Sequence, residues 1–178
     1  MSDYGTPPGP AAIADRLAIQ DILALHSRGL DRLDSQALKH CYWPEANVDY
    51  GAYKGPAHAF ADIVVQVLPA QYELTRHGLG NTLIDFDGDS ARTETCVSAG
   101  HLLQGAGEDL HFYGRYVDQF ECRDGQWKIL FRQVVMDWCK RHPVVDERQG
   151  EAFGDLAKGG HYPQDPLYPF LDNGPQEA

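Results

Sequence analysis

The feature that most constrains this chain is a change of period near Thr75. Before it, apolar residues recur at helical intervals. After it they alternate, in four segments predicted as strands over 75–86, 90–103, 110–122 and 126–138. Between them stand Asp87-Gly88, the glycines Gly105 and Gly107, and Asp124-Gly125. Asp-Gly suits hairpin turns because both central residues must adopt positive φ at little steric cost. Long strands joined by such turns form an antiparallel meander, and helices followed by consecutive strands define an α+β domain.

The helical part reads in three pieces. Gly5 to Pro10 is rich in Pro and Gly and is expected as a flexible lead-in covering 1–10. A first helix is expected over 11–33, with Ile13, Leu17 and Ala24 on its apolar sector and Ile19, Leu23 and Leu30 adjoining. Asp31 lies eighteen residues, five whole turns, from Ile13, so a carboxylate falls inside that sector. Asp34-Ser35 suggests a cap for a short helix through Tyr42, and 47–54 a hairpin around Gly51. A further helix starts near Pro56, with Phe60, Ile63, Val64, Val67 and Leu68 inward and Pro69 ending or kinking it. Beyond Trp138 about forty residues punctuated by Pro and Gly read as an irregular extension, 139–178, whose Phe153, Tyr162, Tyr168 and Phe170 are too apolar for a linker.

Composition excludes several partners. The 15 Lys and Arg against 26 Asp and Glu give a net charge of −11, with no basic run to bind nucleic acid or an anionic membrane. No window carries the ~18 apolar residues of a membrane span, and the N-terminus lacks the pattern of a signal peptide. Cys41, Cys96, Cys122 and Cys139 have no zinc or disulfide spacing and are expected as core residues in a reducing, cytoplasmic compartment. No metal is expected.

Three chemistry-bearing side chains fall on interior phases. Asp31 is on the first helix, His77 is in phase with Leu79 and Leu83, and Arg132 with Leu130 and Val134. An aspartate bonded to an imidazole fixes its tautomer and raises its basicity, and a guanidinium can hold a developing anion. Each residue taken alone has a structural reading, because buried polar groups also serve only to satisfy one another. Phase does not show that the three converge.

The residues Arg28-Gly-Leu-Asp31, Tyr53-Lys-Gly-Pro56, Thr75-Arg-His77-Gly-Leu-Gly-Asn81 and Phe120 to Lys128, in this order, resemble the SnoaL-like branch of the nuclear transport factor two-like superfamily, over roughly 12–138. That resemblance implies a cone-shaped α+β barrel domain over 11–138, a strongly curved antiparallel sheet around N-terminal helices with a cavity at one end. Within the branch the chain is similar to cofactor-independent dehydratases and dehydrochlorinases related to scytalone dehydratase, hexachlorocyclohexane dehydrochlorinase and bile acid dehydratase. By resemblance His77 would abstract a proton and Asp31 orient it, with Arg132 and Tyr50 assisting the leaving group. His101, Phe112, Tyr116, Val48 and His26 are the implied substrate-binding positions, whereas His111, Arg115 and Gln119 have the opposite phase and read as outer-face residues.

The expected function is a lyase that needs no cofactor and eliminates water or a small carbon fragment such as formaldehyde from an aromatic or polycyclic hydroxylated compound. Its expected partners are that hydrophobic substrate and further copies of itself, as a dimer or trimer. Two alternatives remain on the residues alone: an isomerase or cyclase of the ketosteroid isomerase or polyketide type, and a non-catalytic assembly subunit like the small subunit of ring-hydroxylating dioxygenases. The extension is expected as a lid over the cavity or a strap to a neighbour.

Overall fold

A computed structural model describes residues 5–105 and 107–174; Met1 to Tyr4 of the lead-in, Ala106 of the second turn and Pro175 to Ala178 of the extension lie outside them. In chain order the elements are α1 (Pro10–Asp31), α2 (Ser35–His40), β1 (Tyr42–Asp49), β2 (Lys54–Pro56), α3 (Ala57–Gln71), β3 (Tyr72–Asp87), β4 (Ser90–Leu103), β5 (Glu108–Arg123), β6 (Gln126–Pro143) and α4 (Leu167–Asn173).

The meander forms as its turns dictate: β3, β4, β5 and β6 pair antiparallel in sequence. Asp124, at φ 52°, and Gly125, at φ 76°, show the turn chemistry directly. Two expectations need correction. The sheet is mixed, because β1 pairs parallel with β6 while β2 pairs antiparallel with β1. It is also open rather than a barrel, with order β2-β1-β6-β5-β4-β3 and free edges at β2 and β3. Its curvature follows from packing, since α1 contacts both β3 and β6, strands separated by two others, and only a sheet curled around the helix permits that.

Bulges make the curl and reset the side-chain phase. In β3 the register shifts between Leu79 and Thr82, so Ile84 is buried and Leu83, expected inward, is 48% exposed. In β6 a shift around Leu130 puts Trp127 and Ile129 inward on one side and Arg132 inward on the other. Arg132 is thus enclosed because of a bulge, not because it shares a phase with Leu130.

The helices differ from their sequence reading in which face they bury. On α1 the inward residues are Ile19, Leu23, His26, Leu30 and Asp31, whereas Ile13, Leu17 and Ala24 are exposed. The first eight residues of the helix bury no side chain, although Asp15 accepts from Trp127 Nε1–H at 2.9 Å and Arg16 Nη2 donates to Ile84 O at 3.2 Å. On α3 Phe60 and Ala61 are buried but Ile63 and Val67 are exposed, and the helix continues past Pro69 to Gln71. Pro69 comes in the last turn, where only two residues follow it. Tyr42, expected at the end of a helix, instead opens β1. Of the four cysteines, all free, only Cys41 is buried.

Gly29 and Leu33 set the corner that positions Asp31. A Cβ on Gly29 would lie 2.9 Å from Leu38 Cγ, so α2 approaches α1 closely only over glycine. Leu33 takes φ 54°, ending α1 with Asp34 N–H donating to Gly29 O at 2.9 Å. Asp34 then caps α2 by accepting from Ala37 N–H at 2.9 Å.

Strand β6 runs five residues beyond the expected boundary at Trp138, and the extension starts after Pro143. It is not wholly irregular, because it ends in α4. No helix among the described residues is long and apolar enough to cross a membrane.

Candidate active site

Asp31 stands in the last turn of α1, where the helix dipole disfavours a carboxylate. Three donors from β3 compensate. Thr75 Oγ1–H donates to Oδ1 at 2.9 Å, His77 N–H to Oδ2 at 2.9 Å, and His77 Nδ1–H to Oδ1 at 2.7 Å. The imidazole–carboxylate pair is largely buried, with side chains 9% and 11% exposed. Because Nδ1 donates to the carboxylate, the lone pair of the neutral ring is on Nε2.

This pair lines an open cavity of about 720 Å³, together with Thr75, Leu74, His101 and Leu102. The facing wall is Val144 to Arg148 and Gly159, so the extension completes the cavity. His101 sits beside His77 with ring centroids 5.7 Å apart, edge to face. Its Nδ1–H donates to Leu110 O at 3.2 Å, and burial together with the neighbouring His77 lowers its pKa. His101 is therefore a neutral neighbour with its own Nε2 unprotonated.

Arg132, Tyr50, Tyr116 and His26 come together elsewhere, in a polar cluster within the interior. Arg132 is fully buried and donates from Nε and Nη2 to the two oxygens of Asp118, both at 2.7 Å. Burial pushes the Asp118 carboxyl up and Arg132 pulls it down; the bidentate geometry is that of a carboxylate. Burial opposes the guanidinium charge, but Asp118 and the tyrosines more than offset it. The guanidinium lies 4.0 Å from the Tyr116 ring centroid. His26 Nε2 is 2.8 Å from the Tyr42 hydroxyl and 3.4 Å from that of Tyr50, and its Nδ1 has no protein partner. Burial first, then the charge of Arg132, holds His26 well below its ordinary pKa. Burial likewise raises the phenols of Tyr42, Tyr50 and Tyr116, so all three are neutral donors.

Of nine residues expected at the site, Asp31, His77 and His101 line the cavity. Arg132 and His26 are fully buried and do not line it, and the Tyr116 ring packs under the Arg132 guanidinium. Val48, 2% exposed, packs in the apolar core. Phe112 is half-buried, its ring packed beside Gly114. On the outer face His111 pairs with Asp109, and Arg115 with Glu94 and Asp137.

Sequence reasoning missed Asp118, Thr75 and Tyr42. Asp118 had a readable signal, since it shares the phase of Phe112 and Tyr116. Among the described residues no group of three or more His, Cys, Asp or Glu side chains is placed to hold a metal.

Comparison with known proteins agrees with this architecture. The model of the SnoaL-like domain matches residues 11–133. The chain belongs to the SnoaL-like family. An uncharacterized protein of Mycobacterium tuberculosis is 30% identical over 126 residues, covering 68% of this chain and 85% of its own. Hexachlorocyclohexane dehydrochlorinase 1 of Sphingobium indicum is 30% identical over 122 residues, 66% of this chain and 78% of its own. Among solved structures, a type 2 hexachlorocyclohexane dehydrochlorinase superposes with a TM-score of 0.67 at 26% identity, over 75% of this chain and 93% of that one. A scytalone dehydratase-like protein from Novosphingobium aromaticivorans shares the fold at a TM-score of 0.66 and 22% identity, over 75% and 91% of the two chains. The SnoaL-like match ends at residue 133, within β6, and residues 144–174 lie outside it.

Proposed function

We propose that this SnoaL-like protein is a lyase that eliminates water, or a small carbon fragment such as formaldehyde, from a hydroxylated aromatic compound, using its own side chains as the acid–base apparatus. The observation that carries this reading is the Asp31–His77 contact on the cavity wall. Asp31 receives three hydrogen bonds and so acts as an orienting anion, leaving His77 Nε2 as the base.

In a dehydration, Nε2 takes a proton from the carbon next to the carbinol carbon. The C–H electron pair becomes the new double bond, the C–O bond breaks, and the imidazolium returns its proton to the departing hydroxide to give water. Loss of formaldehyde follows the same pattern, with the proton taken from a primary hydroxyl and a C–C bond breaking. The benzylic carbanion that this leaves forms the double bond by expelling the second hydroxyl, which takes the proton from the imidazolium and departs as water. Arg132 acts at a distance, by holding Tyr50 and contributing positive potential to the interior. Support against a carboxylate-base isomerase comes from Asp31 itself, whose oxygens are already engaged. The named dehydrochlorinase relatives also carry out eliminations, in keeping with a lyase.

The test is to incubate the protein with aryl alcohols, diaryl diols and sterol-like hydroxy compounds, with and without chelator, and to identify products by mass spectrometry. Elimination products that vanish in His77→Ala and Asp31→Asn, and persist with chelator, support the proposal. Undiminished product in His77→Ala overturns it.

A further inference from the structure

The extension ties together the two elements that carry the His77 pair. Asp31 ends α1 and His77 lies on β3, so the 2.7 Å contact between them holds only while the helix end and the strand keep their spacing. Toward β3, Arg148 Nη2 reaches Oε2 of Glu73, two residues before Thr75, at 2.8 Å. Toward the helix, Tyr162 N–H donates to Arg32 O at 2.6 Å, and the Tyr168 hydroxyl donates to Asp34 Oδ2 at 3.0 Å. These contacts grip the corner one and three residues beyond the Asp31 carboxylate.

Asp165 organises the grip on the corner. It is 4% exposed and accepts from Gly160 N–H at 2.8 Å and from Leu167 N–H at 3.0 Å, which folds 160–167 into a compact turn. Its Oδ2 also lies 3.1 Å from Arg32 Nε, an ion pair by distance though not aligned as a hydrogen bond. Arg32 lines the same cavity as Asp31 and His77, so this ion pair restrains a cation at the wall that holds the carboxylate. The Tyr162 and Tyr168 rings pack edge to face with centroids 4.8 Å apart, joining the two contacts. Asp34 uses its other oxygen to cap α2, so one carboxylate links the extension to the start of that helix.

We propose that the extension clamps the Asp31–His77 pair across α1 and β3, with Asp165 and Tyr168 as positioning residues at the helix corner and the Arg148–Glu73 ion pair as the anchor on the strand. This rests on the reading of the pair as the acid–base apparatus, and assigns its alignment to residues beyond the SnoaL-like match. Neither Asp165 nor Tyr168 lines the cavity, so both act through the corner. The three hydrogen bonds from β3 already seat the carboxylate, and the clamp refines that geometry rather than creating it. A misplacement of about 1 Å at a reacting group costs up to roughly a hundredfold in rate, and loss of one anchor among several costs less.

The experiment compares the full-length chain with Tyr168→Phe, Asp165→Asn and Glu73→Ala, and with Lys158→Met as the control. Lys158 Nζ donates to the carbonyls of Phe153, Gly154 and Leu156, inside the extension and at neither anchor. Proton NMR follows the His77 Nδ1–H, identified by its loss in His77→Ala, and its exchange with water. Expected is exchange roughly fivefold or more faster in the three anchor variants and within about twofold of wild type in Lys158→Met. For any compound the wild type turns over, kcat should fall roughly five- to fiftyfold in the anchor variants at a KM within about twofold. Exchange within about twofold of wild type in any anchor variant overturns the proposal, even where circular dichroism shows a lower melting temperature, because the extension would then stabilise the fold without setting the pair. Equal acceleration in Lys158→Met overturns it too, as does a wild-type spectrum with no protected Nδ1–H. Should Asp165→Asn fail to fold, the conservative Tyr168→Phe decides. Because exchange needs no substrate, absence of elimination activity would defeat the proposed chemistry and leave this comparison intact.

Discussion

Asp118→Asn isolates the energetics of the interior. It keeps the shape but removes the charge facing Arg132, which is fully buried and spends two of its donors on that carboxylate at 2.7 Å. Breaking a buried pair by neutralising one member leaves an uncompensated charge and costs about 3–5 kcal/mol. For a chain of 178 residues each kcal/mol moves the melting temperature by roughly 2–4 °C, so the loss is about 6–20 °C. The double variant Asp118→Leu/Arg132→Met removes the charge along with its partner and should recover most of it, because replacing both members by apolar groups is close to neutral. Glu94→Gln breaks one arm of the part-exposed Arg115 pairs and serves as the control, with a loss below about 1 kcal/mol. Circular dichroism melts of the four proteins provide the comparison. A shift under about 3 °C in Asp118→Asn, or a double variant as unstable as the single, would refute the view that Arg132 depends on Asp118 for its place in the fold.

Asp31→Asn should lower kcat for elimination by roughly two to four orders of magnitude with little change in KM, since the amide no longer enforces the tautomer that leaves Nε2 free; steady-state kinetics decide it, and a kcat within about threefold of wild type contradicts the role. His26, held neutral, binds its proton more readily in the unfolded chain, so folding stability is full above about pH 6.5 and falls as pH drops below it, by up to roughly 1.4 kcal/mol per unit. In His26→Phe that slope should shrink when denaturation midpoints are compared between pH 7.5 and 5, and an unaltered slope refutes the assignment. Gly114→Ala places a Cβ 2.1 Å from Val135 O and 2.7 Å from the Phe112 ring, a clash with backbone that should cost roughly 3 kcal/mol or more. Urea midpoints test it, and an unchanged midpoint means the strands shift more freely than their pairing implies.

The meander was legible because it is local: alternation, Asp-Gly turns and strand length are properties of short stretches, and β3 to β6 follow them to within a few residues. Asp31 and His77 were legible for a different reason. A carboxylate on the apolar side of a helix end and a histidine on an inward strand phase both violate local rules, and such violations concentrate where chemistry occurs. The sequence could not supply the phase resets at the bulges in β3 and β6, which expose Leu83 and bring Arg132 in by another route. Nor could it supply the buried face of α1, because only packing distinguishes Ile13 from Ile19.

The residue types, the strand order of the meander and the acidic surface were thus determined by sequence alone, through periodicity and charge. The parallel β1–β6 pairing, the absence of Arg132 from the lining of the His77 cavity and the return of residues 144–148 and Gly159 as its far wall were decided by tertiary structure. Each depends on contacts between residues far apart in the chain, such as Tyr162 on Arg32 or Tyr168 on Asp34. No local pattern encodes a partner more than a hundred residues away.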